Sequence, residues 1–134
     1  MIEIASEMLD ARINSLGAEL SSLRDSAGRE LMTDADPAFW AGRAPLLFPI
    51  VGRLTGDKYR LDGEEYPLPQ HGFARRQQFA LTEQAANRAV FRLSDSDETR
   101  AVYPFAFALD AAFTLAGATL AMDITVTNTG GRDM

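Results

Sequence analysis

Between residues 103 and 115 the larger apolar side chains fall on every second position, as Tyr103, Phe105, Phe107, Leu109, Ala111, Phe113 and Leu115, with smaller or polar residues between them. A period of two places one set of side chains on one face of an extended chain, so this stretch predicts a β-strand with an aromatic face to bury. After Ala116-Gly117-Ala118, the positions Leu120, Met122, Ile124 and Val126 repeat the pattern, which predicts an antiparallel partner joined by a short turn. Upstream, Asp62-Gly63 separates residues 58–61 from 64–68, and its readiness for positive φ predicts a second hairpin. Shorter strands are predicted at 3–4, 9–13, 20–23, 79–82 and 89–93, with Gly17, Ser26-Ala27-Gly28 and polar residues 83–87 as breaks. Helix is scarce. Asp36-Pro37-Ala38-Phe39-Trp40 predicts one short turn with Asp36 as N-cap, a proline at the first helical position and Trp40 as its anchor. The sum is an all-β chain, an antiparallel β-sandwich forming a single β-rich domain over residues 1–134, without internal repeat or linker.

Composition narrows what such a sandwich can bind. A formal charge of −6 opposes a phosphate backbone, so no nucleic-acid partner is expected. With no cysteine and one histidine, neither a disulfide, a thiolate nucleophile nor a metal site has its ligands. The N-terminus carries acidic residues where a signal peptide needs basic ones, and the most apolar stretch, 101–126, is broken by Pro104, Asp110, Gly117 and Asp123. A cytoplasmic protein without a membrane partner is the expectation. Residues 127–134, TNTGGRDM, form a turn signal with no strand to follow. The chain is therefore expected to be the front part of a longer protein, with exposed strand edges that invite self-association.

Residues 43–76 break the alternation and gather prolines, glycines, arginines and the single histidine around the apolar run LLFPIVG. Loops of this make commonly carry sites. Pro45 and Pro49 each lack a backbone donor, which predicts a kinked or edge segment delivering Gly52-Arg53 to a surface. Gly72, directly after His71, allows a sharp turn or a close approach to the backbone. An imidazole and one or more guanidinium groups would then share a concavity. His71 could equally be a structural residue bonded to the backbone, and Arg53 a solvated charge. Arg43, Arg75 and Arg76 could bind an oxyanion through their planar donors or simply pair with the many carboxylates. Phe105, Phe107 and Phe113 read as core, and Glu64 and Glu65 as exposed strand residues. Gly52 to Gly56 is no phosphate loop, since no Gly-Lys-Ser/Thr follows.

The string GRLTGDKYRLDGEEYPL followed by QHGFAR resembles the aldose 1-epimerase, or galactose mutarotase-like, family, most strongly over residues 43–79. It looks closest to the branch with an APxLFPxVGR segment and an HGFAR motif, which includes proteins acting on hexoses or hexose 6-phosphates. SLGAEL at 15–20 and VTNTG at 126–130 lie where the family has comparable strings. The resemblance implies a large two-sheet sandwich of which this chain is the N-terminal portion, no cofactor, and a small-molecule sugar as partner. It matches His71 to the family's first histidine, which hydrogen-bonds the sugar near the reacting oxygens, and Arg53 to its sugar-contacting arginine. Arg75 and Arg43 are further candidates for holding the sugar or a phosphate. The family's acid is a second histidine and its base a glutamate, both expected beyond Met134. The alternatives are a shortened relative without the catalytic pair, acting as a non-catalytic carbohydrate-binding module, or a sugar-independent interaction domain.

Overall fold

A computed structural model describes residues 1–134. Nine strands form three antiparallel groups. Strands β1 (Ile2–Ala5), β2 (Leu9–Asn14) and β3 (Glu19–Asp25) form the first sheet, and β4 (Lys58–Leu61) pairs with β5 (Glu64–Pro67) as a separate hairpin. Strands β6 (Ala80–Ala85), β7 (Arg88–Ser94), β8 (Phe107–Ala116) and β9 (Thr119–Asn128) form the second sheet in sequence order. Their order follows from short connections, which make consecutive strands neighbours.

Two sheets bury one core between them. In β2, Leu9, Ala11 and Ile13 are buried while Asp10 and Arg12 face out, as the period of two demands. Their counterparts across the sandwich are Phe91 and Leu93 of β7 and Phe107, Leu109, Phe113 and Leu115 of β8, all in one cluster with Ile4, Ile13 and Leu20. Phe91 and Phe113 meet edge to face at 6.0 Å, the arrangement an aromatic quadrupole favours. On the outer face of the same strands, Arg92 forms a two-point ion pair with Asp110 directly across the ladder (2.7 and 2.8 Å). The sheets are also stitched at their ends, where Ala5 N–H donates to Ala86 O and the Ser6 hydroxyl to Gly117 O, each at 2.8 Å.

The sandwich and both predicted hairpins stand as expected, but three local expectations change. Strand β8 begins at Phe107, because residues 97–102 wind into a helix, α1 (Asp97–Val102), that alternation did not predict. Ser96 caps it: its hydroxyl accepts from Thr99 N–H while the Thr99 hydroxyl accepts from Ser96 N–H, so two end donors are satisfied reciprocally. The turn at 36–40 forms as predicted, with the Asp36 carboxylate accepting from Ala38 N–H at 2.8 Å. Trp40, however, is more than half exposed, and its ring lies over Gly42 outside the core. Strand β6 runs to Ala85 along the sheet edge with its residues exposed, while Phe79, just before it, is buried.

Strand β9 carries an apolar row that the sandwich does not cover. Val126, Ile124 and Met122 pair with Leu109, Ala111 and Phe113 of β8 and so share their face, yet are 42%, 46% and 39% exposed. The strand is also the outer edge of its sheet.

Phe113, fully buried against Phe91, should be a main support of the core, whereas Phe39 is 90% exposed. Phe113→Ala is expected to lower unfolding free energy by about 3–5 kcal/mol in chemical denaturation, and Phe39→Ala by less than about 0.5 kcal/mol.

Candidate functional site

Two loop segments build the site, and each exists because the other is there. Residues 46–52 cross the aromatic end of the core, held by Phe48, whose ring meets Phe73, Tyr103 and Phe107 at 6.0, 5.9 and 5.2 Å. Residues 68–74 run alongside, and Phe48 bridges Gly72 in the parallel sense. Phe48 O accepts from Phe73 N–H (2.9 Å) and Ala74 N–H (3.2 Å), so one carbonyl replaces the two partners that a sheet would have supplied. Gly72 has φ +68°, and a Cβ there would strike the Phe48 carbonyl oxygen. Only glycine fits at that crossing.

His71 sits at the end of this seam with φ +64°, a left-handed conformation that histidine tolerates better than most residues. Its N–H donates to Gly52 O at 2.8 Å, and Gly52 N–H donates back to the imidazole Nδ1 at 2.8 Å. The residue is therefore tied to Gly52 twice, once through its backbone N–H and once through the ring Nδ1. The same Gly52 precedes Arg53, so the position of the guanidinium's backbone and that of the imidazole are set by one residue.

Arg53 turns toward Asp57, with Nε and Nη2 at 2.8 and 2.7 Å from the two carboxylate oxygens. This two-point contact is possible because residues 55–57 form a tight 3-10 turn containing Gly56 at φ +67°, which folds the carboxylate back over the arginine. The Arg53 hydrogen bonds and charge hold the Asp57 carboxyl below the usual aspartate range, and Asp57 in turn raises Arg53. The pair is solvent-exposed, so it orients the fork more than it stabilises the fold.

The pair opens onto a cleft of about 420 Å³. Its lining includes Arg53, Asp57, Gln70, Arg75 and Arg76, with Pro67 to Pro69 forming an apolar wall. Three guanidinium groups against one carboxylate make this a basic cleft on an acidic protein, and such a cleft favours an anion. Arg75 spends one Nη2 donor on Gln70 O at 3.3 Å, while its Nε is buried without a partner. Arg76, in the same 3-10 turn (Ala74–Arg76), also reaches the cleft.

The remaining candidates lie apart. Arg43 donates from Nε to Thr33 O (3.3 Å) and from Nη2 to Asp34 O (3.2 Å), and fastens that loop. It does not line the cleft, nor does the His71 side chain, which stands next to Gln70 in sequence and is fixed to Gly52. A second concavity of about 250 Å³ lies on the first sheet, but its charges are matched among themselves: Arg12 with Glu3 at 2.9 Å and Arg24 with Glu30 at 3.4 Å. Sequence reasoning missed Asp57 as the partner of Arg53 and the Gly52 amide as the partner of the imidazole. The first was signalled by Gly56, which lets residue i+4 fold back outside a helix; the second had no side-chain signal.

Comparison with known proteins places the chain in a family. The sequence pattern of the aldose 1-epimerase family matches residues 1–134. Protein LacX (plasmid) of Lactococcus lactis subsp. lactis is 35% identical over 132 residues, which are 95% of this chain and 44% of LacX. A galactose mutarotase-like protein from Lactobacillus casei superposes with a TM-score of 0.97 at 36% identity, covering all of this chain and 46% of that one. A galactose mutarotase related enzyme from Lactobacillus acidophilus gives 0.93 at 38% identity, covering 95% of this chain and 43% of that one. The chain belongs to the aldose 1-epimerase family. It spans less than half the length of the relatives it matches.

The Asp57 carboxyl should titrate below the ordinary aspartate range in a carboxyl-detected NMR pH series and return to it in Arg53→Ala. Because the folded value is the lower one, the pair's contribution is complete above the unfolded aspartate value, near 3.8, and is lost as pH falls through the folded one. An Asp57 that titrates normally in the native chain would contradict the ion pair.

Proposed function

We propose that this chain supplies the sugar-holding part of an isomerase of the aldose 1-epimerase type, which interconverts the α and β anomers of a hexose or hexose 6-phosphate. The observation that supports the reading is the shared seam: Gly52, the residue before Arg53, exchanges reciprocal hydrogen bonds with His71, and Arg53 and His71 are the two residues that resemble the family's sugar ligands. Anomerisation requires a base to take the C1 hydroxyl proton and an acid to protonate the ring oxygen, each positioned transfer being worth about 10²- to 10⁴-fold. His71 and Arg53 hold the sugar; the acid and base lie in polypeptide beyond residue 134, in cytoplasmic protein of the length the relatives have. Arg75, with Arg76 beside it, supports a phosphorylated sugar, since planar guanidinium donors suit a phosphate. Arg43 holds the adjoining loop and would act on the sugar only through it.

A second reading has its own observation. With one histidine and no second one to shuttle protons, this chain alone has the composition of a non-catalytic carbohydrate-binding module. Turnover separates the two. We also propose that the chain by itself pairs with a second copy along β9, whose edge and exposed Met122, Ile124 and Val126 support it.

Polarimetry of the full-length protein on fresh glucose, galactose and glucose 6-phosphate should show accelerated anomerisation, lowered by about 10- to 100-fold in kcat/KM by His71→Ala or Arg53→Ala, the span of one charge-assisted hydrogen bond. Arg75→Ala should weaken glucose 6-phosphate more than glucose. An unchanged rate in His71→Ala would remove that residue from the site. Sugar binding by calorimetry without turnover would favour the binding module. Sedimentation of the 134-residue chain should be concentration-dependent, and a monomer at all concentrations would exclude pairing along β9.

A further inference from the structure

We infer that the main-chain amide of Gly52 fixes His71 in the tautomer protonated at Nε2, so that the neutral imidazole meets its ligand as a hydrogen-bond donor and not as a base. A backbone N–H can only donate, and it sits 2.8 Å from Nδ1. Nδ1 must therefore offer a lone pair, and a neutral imidazole with an unprotonated Nδ1 carries its one proton on Nε2. Nε2 makes no hydrogen bond within the chain and is not a buried unpartnered atom, so its proton is free for a ligand.

The local backbone is built to keep that arrangement. His71 N–H reaches Gly52 O at 2.8 Å, so the ring and its own main chain grip the same residue from two directions. Two successive residues, His71 and Gly72, hold positive φ, at +64° and +68°, and Gly72 N–H closes the bend onto Pro69 O at 2.9 Å. Positive φ at a residue with a side chain costs of order 1–3 kcal/mol and persists only where the surroundings enforce it. The enforcement here comes from the seam with residues 48–52. Gly52 has φ +93° with open space where a Cβ would stand, so what it contributes is a backbone direction that aims its N–H at Nδ1.

The consequence for chemistry rests on the sugar reading: His71 would donate to a sugar oxygen and stabilise charge gathering there, and could not remove the C1 proton. Gly52 is then a positioning residue, acting on the substrate only through the imidazole. The tautomer itself needs no sugar to be read, so its failure and the failure of the sugar reading are separate results.

The test is a long-range proton–nitrogen NMR correlation of the neutral imidazole in the full protein, with the His71 signals assigned by their loss in His71→Gln. An unprotonated Nδ1 and a protonated Nε2 are expected. Gly52→Ala, which an L residue accommodates poorly at φ +93°, should shift the Nδ1 signal toward the average of the two tautomers. Gly28→Ala is the matched control: it has φ +79°, equally open space and a remote turn, and should leave the imidazole spectrum unchanged. A proton on Nδ1 in the native chain would overturn the inference, as would a folded Gly52→Ala with the native spectrum. Should Gly52→Ala not fold, the native spectrum alone decides.

Discussion

The crossing of residue 48 over residue 72 is the contact on which the site depends. Phe48 sends its ring into the aromatic end of the core and turns its carbonyl outward to Phe73 and Ala74, so the loops inherit rigidity from the sandwich without being part of a sheet. Gly72 lets the backbones touch, and the bend it shares with His71 brings the imidazole against Gly52. A tight backbone crossing has two discrete outcomes, packed or apart, since close-packed atoms do not deform by degrees. Main-chain contacts place the imidazole, whereas the longer Arg53 side chain is ordered separately by its two-point pair with Asp57.

The two-sheet fold was legible because burial on one side of a strand writes itself as alternation, and it did so clearly in β8 and β9. Where alternation and local capping competed, the sequence pattern misled. Tyr103 and Phe105 fit the period of β8, but Ser96 and Thr99 nucleate α1 just before them, with Thr99 in place of the glutamate or glutamine that usually marks a capping box. Pro104 lies between the helix and the strand, where a missing N–H matters least. Trp40 misled differently: its size suggested an anchor, yet residues 36–40 turn on the Asp36 carboxylate and carbonyl and leave the indole outside. The uncovered row on β9 alternates as a core strand would, because sequence shows which face is apolar and not what lies against it.

At the site, the residue types were legible and their grouping only partly so. Arg53 and His71 stood out by glycine neighbours and resemblance, and the structure joins them through Gly52. Arg75 lines the basic cleft beside Arg53, whereas Arg43 is spent on the Thr33 and Asp34 carbonyls, a use that composition could not distinguish from ligand binding. The partners that orient these groups were hidden for a common reason. Asp57 depends on a glycine turn and the Gly52 amide belongs to every residue alike, so neither differs from an ordinary loop atom until the chain is folded.

We propose that the Gly52–His71 seam and the neighbouring basic cleft of Arg53 and Arg75 act as one sugar-binding surface. The most direct measurement is backbone NMR of the intact protein titrated with a hexose 6-phosphate. The amides of Gly52, Arg53, His71 and Arg75 should shift together along one binding isotherm. Shifts confined to the concavity of Arg12 and Arg24 on the first sheet, or independent isotherms for His71 and Arg53, would contradict it.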